Sequence, residues 1–278
     1  MKCRVIKPPK KDSVDRKYFI FWCIFILLYA GGIIIPLETT PHYHNFQSRV
    51  WGWTEILILL LAVYYIIRTK RFHWKQAAMS LLLGAVCLFS LFRDPRTMDI
   101  IITSVCVTVT FYSACRLYEL ADRENVSIHT GIIKSIRYFI TGAVISIPLA
   151  VLNVLYFSLS RQINIRNVLS SAVFALKPAI AEEVIFRFFL LAYAYYLTYG
   201  KAETRFQNVL IYSLLIIPHE LLHYPDLFIK SPGLAVVMCI LNGLLFNLPM
   251  ALLMKKKNLQ MAIGMHWFID FARFTAGF

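Results

Sequence analysis

Apolar side chains run along this chain in long, nearly unbroken blocks rather than at alternate positions, a pattern that predicts helices and no sheet. The blocks lie near 18–36, 50–67, 76–92, 98–115, 137–158, 168–199, 208–223, 233–254 and 258–276. Most approach the ~20 residues a helix needs to cross a bilayer. The expected fold class is therefore an all-α polytopic transmembrane bundle of eight or nine helices. The block at 208–223 is short and ends in His219, Glu220 and His223, so it reads as a tilted, broken or partly embedded segment.

Composition excludes an ordinary soluble domain: of 278 residues 59% are hydrophobic and only 16% are charged. The first apolar block is longer than the apolar core of a cleavable leader and is followed by bulky residues, so it is expected to remain as an anchor. A net charge of +14 raises the question of nucleic acid, and the distribution of that charge answers it. Lys2, Arg4, Lys7, Lys10, Lys11, Arg16 and Lys17 precede the first block, and Arg68, Lys70, Arg71 and Lys75 follow the second. The loop at 116–137 and the run Lys255–Lys257 continue the series on the same side. This is positive-inside bias with a cytoplasmic N-terminus, and the remaining charge suits anionic head groups rather than a nucleic-acid partner. Six scattered cysteines show no disulfide or zinc spacing.

The blocks before residue 137 read as spans without buried charge, whereas those after it carry Lys177, Glu182, Glu183, Arg187, His219, Glu220, His223, His266 and Asp270. The expected organisation is a basic segment at 1–17, N-terminal transmembrane helices at 18–136 and a catalytic transmembrane region at 137–278. Charge at bilayer depth is costly unless it pairs or lines a wet cavity, which makes these residues the functional candidates. Glu183 and Arg187, His219 and His223, and His266 and Asp270 are each four apart, so each pair shares one helix face.

Glu182 to Arg187 reads EExxxR. One carboxylate of such a pair can hold and deprotonate a water, and the arginine can orient the other with its planar fork. Pro178 just upstream can open the helix to water. His266 and Asp270 add an imidazole able to donate to an oxyanion and a carboxylate able to fix its tautomer. His219-Glu220-Leu221-Leu222-His223 is a literal HExxH, in which two histidines can bind zinc beside a glutamate base, with Asp270, His266 or Glu183 as third ligand. Lys177, Asn242, Asn247, Pro249 and Trp51 read first as packing or interfacial residues.

These motifs resemble the CPBP group of intramembrane endopeptidases, which includes type II CAAX prenyl proteases and bacterial relatives linked to bacteriocin processing or immunity. The likeness covers roughly 137–276 and rests on Ala181-Glu182-Glu183-Val184-Ile185-Phe186-Arg187, a histidine in the following helix and Hxxx(N/D) at His266–Asp270. By that resemblance Glu182 activates water, Glu183 and Arg187 support it, the second-motif histidine contacts the water, and His266 with Asp270 stabilises the oxyanion. His223, in His223-Tyr224-Pro225-Asp226, is the preferred second-motif histidine, with His219 as the other choice. Phe188 stands where the family often has glycine and is expected to narrow the cavity.

The resulting expectation is an endopeptidase of the bacterial cell membrane acting on a peptide or protein, either prenylated or bearing a leader. No cofactor is assigned, and zinc held by His219 and His223 is the alternative. A non-catalytic immunity or peptide-binding protein, and a proton-coupled transporter, are the readings from other classes.

Overall fold

The computed structural model describes residues 11–34, 46–69, 72–89, 97–121, 131–198 and 204–278. Residues 1–10, with Lys2, Cys3, Arg4, Lys7 and Lys10, lie outside the described residues, as do His42, His44, Lys70, Arg71 and His129. All regular structure among the described residues is helical. In chain order the helices are α1 (Lys11–Ile34), α2 (Phe46–Thr69), α3 (Trp74–Leu88), α4 (Thr97–Leu120), α5 (Ile132–Ile145) and α6 (Ile147–Ser158). A helical run then comprises α7 (Val168–Glu182), a π turn (Glu183–Phe188) and α8 (Phe189–Thr198). After it come α9 (Arg205–Leu221), the short α10 (Pro225–Lys230), α11 (Pro232–Asn242), a second π turn (Gly243–Asn247), α12 (Leu248–Lys256) and α13 (Leu259–Thr275).

Local chemistry sets several of these boundaries. The Asn167 side chain accepts from the Ser170 amide, Asn258 accepts from the Met261 amide, and Thr204 with Gln207 forms a reciprocal capping box. Each satisfies amides that the first helical turn leaves without a partner.

Among the described residues four segments are long and apolar enough to cross a membrane: Arg16–Ile34, Val50–Thr69, Asp99–Leu120 and Pro232–Lys256. A fifth arises if α5 and α6, bent by 49° at Ser146, count as one span. Eight or nine spans are not established by length and composition, and charged residues and short helices in the second half are the reason. Every eighteen-residue stretch of the run from Val168 to Thr198 contains at least three of Lys177, Glu182, Glu183 and Arg187, while α9 and α13 stop at 17 residues each. Large apolar side chains face outward on α1, α2, α5, α6 and α11, among them Leu27, Leu60, Ile133, Leu155 and Leu241. Lipid is the solvent that such a surface fits, and the protein is an integral membrane protein.

Two packing groups meet along the central run. In the first, α4 lies against α2, α3 and α8; in the second, α13 lies against α5, α6, α7 and α12. Trp267 of α13 donates through Nε1 to the Ala172 carbonyl at 2.8 Å, and Tyr29 of α1 donates to the Leu221 carbonyl at 2.9 Å. Helices α5 and α13 approach closely at two glycines. A Cβ on Gly142 would strike the Met261 carbonyl, and one on Gly264 would strike the Phe139 carbonyl. Small residues of this kind let membrane helices touch backbone to backbone. Gly142→Ala and Gly264→Ala are each expected to cost about 1–3 kcal/mol through overpacking. Denaturant titration in mixed micelles measures this, and wild-type stability in both variants would refute it.

The first half is not free of buried charge. Glu55 of α2 is buried and accepts from Thr103 Oγ1 of α4 at 3.0 and 3.1 Å, with the charge of Lys177 acting on it from α7. Arg116 is buried as well and pairs with Glu119. Along the linear pattern Glu55 vanishes inside an apolar block and only helix packing reveals its partner Thr103, whereas Arg116 and Glu119 fall where the sequence suggests a loop and pair within one helix.

Candidate functional site

Pro178 sits inside α7, where its ring removes one amide from the ladder. Five residues later the helix widens into the first π turn, a feature frequent at functional sites. The turn separates two adjacent carboxylates by environment. Glu182, the last residue of α7, lines a cavity and keeps 13% of its side chain exposed, whereas Glu183 and Arg187 keep none. Glu183 Oε1 accepts from Arg187 Nη1 and meets His266 Nδ1 at 2.9 Å. The i, i+4 pairing of Glu183 with Arg187 is thus present, and it also anchors α13.

His219, near the end of α9, brings the cluster together. Its Nε2 lies 2.5 Å from Glu182 Oε2, and its Nδ1 lies 2.8 Å from Asn247 Oδ1 in the second π turn. His223 is one turn on, with Nδ1 3.0 Å from the His219 carbonyl and its ring 4.6 Å from the His219 ring. Of the two candidate histidines, His219 makes the direct hydrogen bond to Glu182. His266 Nε2 lies 3.4 Å from Glu182 Oε2 and 3.5 Å from Asp270 Oδ2. Its Nδ1 partner is Glu183, so Glu183 rather than Asp270 is the carboxylate placed to fix that ring. Asp270 instead takes Arg273 Nη2 at 2.7 Å.

The cavity holds about 520 Å³, within the range of small-ligand pockets, roughly 300–1,000 Å³. Glu182, His219, His223, His266 and Asp270 are part of its polar wall, with Asn242, Asn247 and Arg273, and Leu152, Tyr156, Phe157, Leu241 and Phe246 are part of its apolar one. A positioned water can lose a proton to a carboxylate here, and a developing oxyanion can meet an imidazole donor, so the arrangement supports acyl transfer to water.

Comparison with known families supplies the deciding observation. Residues 164–272 match the family described as Rce1-like: Type II CAAX prenyl endopeptidase Rce1-like. This region of the chain is similar to that family of CAAX-type proteases. The match spans less than half of the chain and runs from just before α7 to the last turn of α13, so the Rce1-like region contains the whole histidine–carboxylate cluster. No curated protein and no solved structure matches the chain.

Within the Rce1-like region, donor atoms of Glu182, His219 and His223 lie within 4.8 Å of one another. Two imidazoles and a carboxylate are a donor set that suits zinc. Two of those three residues, His219 and His223, are the histidines of the HExxH pattern. Glu220, between them, is buried and its carboxyl group is held by Asn242 Nδ2 at 3.1 and 3.3 Å and by Asn247 Nδ2.

Three groups at the site are not assigned to it by sequence reasoning. Asn247 bonds both His219 and Glu220. Trp51 of α2 sets its ring edge-on to Phe186, His219 and His223 at 5.2, 5.9 and 5.8 Å, so an N-terminal helix packs against the two histidines. Arg273 completes an i, i+4, i+7 stripe with His266 and Asp270, a spacing visible in the sequence. Phe188 is not a cavity residue: it is buried between Phe111 and Tyr118, each at 5.4 Å, because the π turn points it into the first packing group.

Proposed function

We propose that this protein is a membrane-embedded endopeptidase that hydrolyses a peptide bond near the membrane surface using water activated by Glu182. The observation carrying this reading is that Glu182 opens onto the cavity while its Oε2 faces both His219 and His266. Glu182 takes a proton from the water as its oxygen bonds to the scissile carbonyl carbon. The resulting oxyanion is met by His266 Nε2, whose ring is held by Glu183 and, behind it, Arg187. The proton then passes from Glu182 to the departing amine as the C–N bond breaks, with His219 sharing it in between and Asp270 beside His266. His223 borders the water position.

The apolar wall suits a lipidated CAAX-type tail or an apolar peptide segment, in a bacterial cell membrane and with the N-terminus cytoplasmic. The cavity lining falls within 137–278, which supports a catalytic region there, preceded by a basic segment at 1–17 and helices at 18–136. Counting the charged run from Val168 to Thr198, α9 and α13 as spans, because their polar residues face protein rather than lipid, supports eight or nine crossings.

A second reading has its own observation, the convergence of Glu182, His219 and His223. These three would hold a zinc ion, which would supply Lewis acidity and an acidified water.

One assay separates the readings. Purified protein in lipid nanodiscs is given fluorogenic peptides with and without an isoprenylated cysteine tail, and products are identified by mass spectrometry. Internal cleavage that persists after chelation with phenanthroline is the expected result. Loss on chelation and recovery with zinc would transfer the assignment to the metal reading, and no cleavage in any condition would refute hydrolysis.

A further inference from the structure

We propose that Glu220, acting through Asn247, sets the protonation pattern of the His219 ring. The inference rests on the hydrolytic reading for its catalytic consequence, but its structural core is independent of it. Glu220 is buried and hydrogen-bonded to two amide side chains, Asn242 and Asn247. The Asn247 group facing Glu220 is the Nδ2 amine, which donates to Glu220 Oε1. Turning that amide over would set its carbonyl against the carboxylate. The Asn247 carbonyl must therefore face the other way, where it meets His219 Nδ1 at 2.8 Å.

A carbonyl accepts, so His219 Nδ1 carries the hydrogen. Arg187 Nη2, at 3.4 Å from the same nitrogen, offers a competing donor. Its contact is longer, and that guanidinium is engaged by Glu183, so the Asn247 bond decides the pattern. With Nδ1 protonated, His219 presents Nε2 as the atom that exchanges a proton with Glu182, 2.5 Å away. The opposite tautomer would fix a hydrogen on Nε2 and leave Nδ1 pointing a lone pair at a carbonyl. Glu220 is thus a positioning residue, separated from the cavity by Asn247.

Backbone geometry makes the relay possible. Asn242 and Asn247 are five residues apart, which on an α-helix places them about 140° from each other. The π turn at Gly243–Asn247 takes more residues per revolution and brings both side chains round to Glu220.

The test uses the full-length protein in nanodiscs with ¹⁵N-labelled histidine, His219 being assigned by its disappearance in His219→Gln. Nδ1 is expected to show the shift of a protonated nitrogen in wild type and in Glu220→Gln, whose carbonyl still accepts from Asn247. Glu220→Leu and Asn247→Leu are expected to lose that single pattern and to lower kcat by about 10–100-fold with little change in KM, the scale at which outer partners that orient a histidine act. An unprotonated Nδ1 in wild type overturns the proposal without any variant. So does an unchanged His219 spectrum in both leucine variants. A shifted spectrum in those variants with no peptide cleavage by any form upholds the relay and refutes the hydrolytic reading alone.

Discussion

Glu182→Gln is expected to lower kcat by about 10²–10⁴-fold while leaving the protein folded, because the amide cannot take the proton of an attacking water. Its size is unchanged, and the Glu182 side chain is partly open to the cavity, so no large void or unpaired core charge results. The adjacent Glu183→Gln is a useful contrast: Glu183 is fully buried and receives Arg187 and His266, so its loss is felt first in stability. Initial rates on a cleaved peptide, beside thermal unfolding of each variant, measure both effects. Full activity in Glu182→Gln would remove it as the base and leave the histidines as the groups to test.

The largest stability effect is expected at Arg187. Removing one member of a buried ion pair leaves the other as an uncompensated charge, at a cost of about 3–5 kcal/mol. Arg187→Met does this to Glu183, and neither side chain has exposed surface through which water could compensate. When Glu183→Gln is combined with Arg187→Met the unpaired carboxylate is gone, and the carbonyl of the introduced glutamine still accepts from His266. The double variant should recover more than half of the loss. Sodium dodecyl sulfate titration in mixed micelles reads all three. Equal stability of Arg187→Met and wild type, or a double variant that merely sums the single losses, would mean that the pair does not hold the helices together.

Much of this site is legible along the chain. Glu182, Glu183, Arg187, His266 and Asp270 stand out because charge is expensive in apolar blocks. The four-residue spacing puts Glu183 beside Arg187, and they do pair. The same rule suggests Asp270 as the tautomer-setting partner of His266, yet the better-placed partner is Glu183, 83 residues away. Spacing finds neighbours within one helix and is blind to a closer acceptor on another. Glu55 escapes it for the same reason, since its partner Thr103 lies on a different helix. The resemblance favours His223 from the Tyr-Pro-Asp sequence after it, whereas contact with Glu182 goes to His219.

The sequence by itself determined the solvent, the helical class and the family motifs, because apolar block length and the cost of buried charge depend only on residue order. Tertiary structure decided which atoms meet. The π turns are the physical reason the two differ most at the site. Each adds a residue to one revolution and so rotates the side chains beyond it, sending Phe188 into the N-terminal core and turning Asn247 toward both Glu220 and His219. A spacing rule built on 3.6 residues per turn assigns neither direction.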